Sequence, residues 1–102
     1  MATLLLWDLY QIKAKKTSLT GVMLRGRLRK LAIQEGRNML VENAQDEKNC
    51  ARFAVLNGQE IRTITDYLKQ LGSDITIANC ITGVQNPVLS KLQVNDETRY
   101  KL

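Results

Sequence analysis

Two stretches with helical spacing, each closed by a glycine and separated by two short strand-like runs, constrain the fold of this 102-residue chain more than any other feature. From Val22 onward, Leu24, Leu28, Leu31 and Ala32 follow the i, i+4, i+7, i+8 stripe of an amphipathic helix, and Gly36 supplies a C-terminal stop. After Gly58, Ile61, Ile64, Leu68 and Leu71 recur every three or four residues, and Gly72 closes that stretch. Between them lie MLVEN at 39–43 and CARFAVL at 50–56, joined by the polar AQDEKN, which reads as a hairpin with a loop longer than the tightest turns.

The flanks complete the pattern. Residues 3–14 are rich in Leu, Trp, Tyr and Ile without a helical repeat, predicting a strand that ends in the polar loop KKTSLTG at 15–21. Ile75, Ile77, Asn79 and Ile81 alternate as a strand, and VLSKLQV at 88–94, beyond the single proline Pro87, can form one more. The predicted order is β-α-β-β-α-β with a short last strand. This is an α+β, ferredoxin-like sandwich, with two helices on one face of a four- to five-stranded, mainly antiparallel sheet. The length suits one domain over 1–102, and no repeat or linker divides it.

Absent residues narrow the chemistry. With no histidine, there is no Ser-His or Cys-His pair, no imidazole base and no His-containing zinc site. Cys50 and Cys80 are too few for a disulfide framework and are not spaced as metal ligands, so they read as reduced core residues in a reducing compartment. The N-terminal MATLLLWDLYQ lacks a basic start and carries Asp8 and Gln11 after a short apolar run, so it reads as a strand and not a signal peptide. No apolar run is long enough to span a membrane. A cytoplasmic monomer is expected.

The net charge of +5 is unevenly distributed. Lys13, Lys15, Lys16, Arg25, Arg27, Arg29 and Lys30 occur with no acid between positions 13 and 30, so the other eight basic residues are outnumbered by ten acidic ones. Such a segment reads as an anion site or as a solvated charged face. A polar loop running into a helix start gathers unpaired N–H groups and the positive end of the helix dipole. Gly21 in that loop is either a turn glycine or a point of close backbone approach. Arg25 opposes the dipole at a cost of roughly 0.3–1 kcal/mol when exposed, a conflict that a bound anion relieves. It can equally be a tolerated surface arginine. Gly26 inside the helix costs about 1 kcal/mol relative to Ala, which suggests close backbone packing or a site too tight for a side chain. Period-two alternation puts Met39, Val41 and Asn43 on one strand face, where Asn43 can orient an attacking group or simply form a turn.

These residues carry a family resemblance. TSLTGVMLR at 17–25 resembles the acylphosphatase signature G-x-V-Q-G-V-x-F-R at Gly21, Val22 and Arg25. MLVENAQDEKN from 39 is similar to the family's G-W-V-x-N-x-x-D-G at Val41, Asn43 and Asp46, and Arg25 and Asn43 stand 18 residues apart as in the pattern. LSKLQVNDETRY at 89–100 resembles the tail of the animal-type members. The resemblance implies a small hydrolase that cleaves carboxyl phosphates without metal or cofactor. Lys16, Thr17, Ser18, Leu19, Thr20, Gly21 and Val22 would wrap the phosphate with backbone amides, Arg25 would complete the cradle, and Asn43 would hold the nucleophilic water. Such positioning and charge stabilisation suit phosphoryl transfer from a good leaving group.

The departures bear on activity. Thr17 and Thr20 replace the pattern's first glycine and its glutamine, Leu24 its phenylalanine, Met39-Leu40 its Gly-aromatic pair, and Glu47 its last glycine. The threonines can bend the cradle or add hydroxyl donors, and a Glu47 near the cradle would weaken phosphate binding. The partner expected is a small acyl phosphate or inorganic phosphate. The alternative is a weakened or inactive acylphosphatase-like domain that binds anions, nucleic acid or another protein. Nucleic acid is disfavoured because Trp7, Tyr10, Phe53, Tyr67 and Tyr100 are scattered and not paired for base stacking.

Overall fold

The protein is described from a computed structural model covering residues 5–85, 87–89 and 93–94. The elements follow in the order β1 (Trp7–Ala14), α1 (Leu24–Glu35), β2 (Met39–Asn43), β3 (Cys50–Leu56), α2 (Arg62–Leu71), β4 (Ile75–Val84), β5 (Pro87–Val88) and β6 (Gln93–Val94). β1 to β4 form one open antiparallel sheet ordered β2-β3-β1-β4, which with the two helices makes an α+β fold.

Alternation along the strands decides which side chains meet the helices. Ile12 of β1, Val41 of β2, Ala51, Phe53 and Val55 of β3 and Ile75 of β4 share one buried core with Leu24 and Leu28 of α1 and Ile64 and Leu68 of α2. Both helices therefore cover the same face. Tyr10 and Phe53, directly opposite across β1 and β3, stack with ring centroids 5.1 Å apart. On the other face Leu9, Ala54 and Leu89 form a smaller cluster.

Arg52 is also buried on that second face, at 1% exposure. Its guanidinium donates to both carboxylate oxygens of Asp46, to Gln11 Oε1 and to the Leu89 carbonyl, so its charge is paired and its donors are used.

Strand ends position the site. β3 runs antiparallel to both neighbours, so β1 and β2 point the same way. The pairs Lys13 with Cys50, Asn43 with Ala51 and Ala14 with Ile75 place the ends of β1 and β2 and the starts of β3 and β4 along one edge of the sheet. The loop from β1 to α1 emerges there.

Three boundaries differ from expectation. α1 begins at Leu24 and not Val22, because Met23 adopts the left-handed conformation at φ 56°. β1 begins at Trp7, with Leu5 and Leu6 exposed before it; residues 3 and 4 lie outside the described residues. Of the expected strand over 88–94, residues 90–92 lie outside the described residues; Pro87–Val88 and Gln93–Val94 pair with each other, and among the described residues the main sheet has four strands. The stop at Gly36 stands: at φ 62° its N–H bonds the Ile33 carbonyl while Arg37 N–H bonds that of Ala32, closing the helix as a Schellman motif.

Candidate functional site

The loop between β1 and α1 is tied down from two sides. Asp74, in the turn before β4, accepts from Lys16 N–H at 2.5 Å and Thr17 N–H at 2.8 Å through one oxygen, and from Thr17 Oγ1 at 2.5 Å through the other. These bonds, led by the Thr17 hydroxyl, hold the Asp74 carboxyl well below the usual carboxylate range. Asn49, at the foot of the β2–β3 hairpin, accepts from Leu19 N–H at 2.9 Å. It donates to the Ala14 carbonyl at 2.9 Å and to that of Thr17 at 2.8 Å. Leu19 sinks its side chain into the core, at 1% exposure.

Few amides remain for a ligand. Gly21 N–H bonds Ser18 Oγ and Val22 N–H bonds the Ser18 carbonyl, so five of the seven amides expected to wrap an anion already have internal acceptors. Among the described residues, those of Ser18 and Thr20 have none. The sequence-based picture of a bare seven-amide cradle is thus narrowed to two donors, because Asp74 takes the amides of Lys16 and Thr17, Asn49 that of Leu19, and Ser18 those of Gly21 and Val22. Gly21 is needed for a close approach, but to Ser18: an added Cβ would stand 3.0 Å from both Ser18 Cβ and Oγ.

Arg25 and Asn43 line one cavity. A cavity of about 290 Å³ is lined by Thr20, Met23, Leu24, Arg25, Gly26, Arg29 and Asn43. A second, of about 380 Å³, shares Thr20 and Asn43 and adds Lys16, Ser18, Leu19, Ala44, Asn49 and Cys50. Ser18 and Thr20, whose amides are unused, line this same region. Met39 and Val41 point into the helix-side core, and alternation brings Asn43 to that face at the end of β2.

Charge favours an anion here. The ion pairs among the described residues are Lys13–Glu47, Arg52–Asp46 and Arg62–Glu60, so Arg25 and Arg29 have no acid partner there. Glu47 is bound to Lys13 at 2.7 Å, which offsets the negative charge that the sequence introduced into the hairpin. Its hydrogen bond raises the Lys13 pKa, and that of Arg52 lowers the Asp46 carboxyl. Burial pushes the Cys50 thiol up, so it is not poised as a thiolate.

Gly26 departs from expectation. A Cβ there would meet nothing within 4 Å, so no packing demand explains the residue. Gly72 supplies the tight approach instead, because a Cβ on it would collide with Thr17 Oγ1 and stand 3.0 Å from Asp74 Oδ1.

Sequence reading missed Asp74 and Asn49. The only local sign was polar residues in turns; their roles depend on contacts spanning 57–58 and 30–35 positions. Among the described residues no group of three or more His, Cys, Asp or Glu could hold a metal, and no helix is long and apolar enough to cross a membrane. Compared with protein-family models, curated proteins and solved structures, the chain matches none.

Proposed function

We propose that this protein is an acylphosphatase-type hydrolase on a ferredoxin-like βαββαβ fold, cleaving the carboxyl-phosphate bond of acyl phosphates. The observation that carries the reading is that Arg25, Asn43 and Thr20 line one cavity although they come from a helix start, a strand end and a loop. The order of strands and helices and the arrangement β2-β3-β1-β4 support the fold assignment.

In this reading the Arg25 guanidinium takes two phosphoryl oxygens, and the amides of Ser18 and Thr20 bind the charge that develops in the transition state. The Asn43 side-chain oxygen accepts a hydrogen bond from the attacking water and aligns it opposite the acyl oxygen. Water adds to phosphorus, the phosphorus–acyl oxygen bond breaks, and carboxylate, phosphate and a proton leave. Two free cysteines suit a reducing compartment such as the cytoplasm.

The test is hydrolysis of benzoyl phosphate with a chelator present. Wild type should turn over, and Arg25→Ala or Asn43→Ala should each lose on the order of 10²–10³ in kcat, as for removal of one transition-state donor elsewhere. Equal, negligible rates in wild type and Arg25→Ala would remove the catalytic reading. A second reading, anion binding without turnover, is favoured by the five loop amides already engaged internally, and that same outcome with retained phosphate binding would select it.

A further inference from the structure

A third cavity, of about 560 Å³, lies between α1 and α2, lined by Met23, Gly26, Arg27, Lys30, Leu31 and Gln34 on one side and Tyr67 on the other. It shares Met23 and Gly26 with the Arg25–Asn43 cavity. At about 100° per residue, Arg27, Lys30, Leu31 and Gln34 fall on one face of α1, while Arg25 and Arg29 fall on the neighbouring one. Gly26 lies at the ridge between them. With no side chain, and with open space where its Cβ would stand, it leaves a saddle joining the two cavities.

The groove has an apolar floor. Leu31 and Tyr67 are half-buried, and the stems of Arg27 and Lys30 form a rim whose charged ends can reach solvent. Met23 stands at the junction, 72% exposed and in a left-handed conformation that a non-glycine residue rarely adopts. Nothing in the core calls for it. A long, flexible thioether is suited to covering an apolar chain of variable shape.

We propose that the preferred substrates are acyl phosphates with a long apolar chain, the phosphate in the Arg25–Asn43 cavity and the chain crossing Gly26 into the groove between α1 and α2. This rests on the acylphosphatase reading and adds the identity of the acyl group. The argument for this occupant is continuity: the groove and the Arg25–Asn43 cavity share Met23 and Gly26, so a chain leaving the phosphate over Gly26 enters the groove.

The experiment compares kcat/KM for acetyl phosphate and octanoyl phosphate, the latter kept below micelle formation, on the full chain. Half-covered methylenes contribute about twofold each, so six of them should favour octanoyl phosphate by roughly tenfold to a hundredfold. Tyr67→Ser and Met23→Gly should each lower that ratio at least severalfold. Both substrates are measured on one sample, so partial unfolding cancels in the ratio. Turnover of acetyl phosphate with a ratio near one, or a ratio that neither variant moves, would overturn the chain site and leave the hydrolase reading standing. Failure to hydrolyse either substrate would overturn both.

Discussion

Replacing Asn49 should loosen the site loop, and the size of the effect can be worked out from its bonds. Its side chain makes three of them, at 2.8–2.9 Å, to Leu19 N–H and to the carbonyls of Ala14 and Thr17. The bond to part-buried Leu19 contributes about 1 kcal/mol, and each exposed carbonyl, which water can satisfy, about 0.5 kcal/mol. Asn49 also sits at φ 47°, where alanine costs roughly 1 kcal/mol more than asparagine or glycine. Asn49→Ala should therefore cost about 3 kcal/mol and Asn49→Gly about 2 kcal/mol. Urea unfolding followed by Trp7 fluorescence would resolve this, because an m-value of about 1 kcal/mol/M makes the alanine midpoint fall by roughly 3 M. Hydrogen exchange should show Leu19 N–H losing protection in both variants. If Asn49→Ala lay within about 0.5 kcal/mol of wild type, or were the more stable of the two variants, Asn49 could not be what holds the loop.

Other substitutions probe the same architecture. Gly26→Ala should raise stability by about 1 kcal/mol in a thermal or urea melt, because a Cβ meets nothing there and alanine favours the helix; a loss would mean that the space is not open. Gly72→Ala should disrupt the Thr17–Asp74 contact and lower the midpoint of unfolding, with Lys16 and Thr17 amides exchanging faster. Asp74, Asp46 and Asp8 are each held below the ordinary value of 3.8, Asp8 because bonds from Asn57, Gly58 and Gly83 outweigh its burial. The folded chain then binds fewer protons than the unfolded one over that window, so stability should be level above about pH 5 and fall steadily below about pH 4. Asp74→Asn should make the acid decline shallower, measured by circular dichroism against pH; an unchanged slope would contradict the assigned role of Asp74.

Local signals in the sequence were read correctly where the cause was local. Gly36 ends α1 because a left-handed residue is needed one position past the helix, and the apolar stripes place Leu24, Leu28, Ile64 and Leu68 in one core. Alternation put Met39, Val41 and Asn43 on one face, and the topology then carried Asn43 to the cavity that holds Arg25. What the sequence did not disclose depends on distant partners. Asp74 and Asn49 matter only through a loop dozens of residues away, and Arg52 stands inside an otherwise apolar strand because Asp46, Gln11 and the Leu89 carbonyl meet it there. Gly26 misled for the opposite reason: a helix-interior glycine suggests a tight approach, and the structure places open space above it. The tail resemblance at 89–100 falls largely outside the described residues.

The anion site itself is most directly tested by titrating the protein with inorganic phosphate and following backbone and side-chain resonances by NMR. Saturable shifts should centre on the Ser18 and Thr20 amides, the Arg25 Nε–H and the Asn43 side-chain amide, and should vanish in Arg25→Ala. Gly58 and Gly83, tied to Asp8 at the far end of the sheet, should not respond. Shifts centred elsewhere, or a titration unaltered by Arg25→Ala, would contradict the assignment of this cavity as the phosphate site.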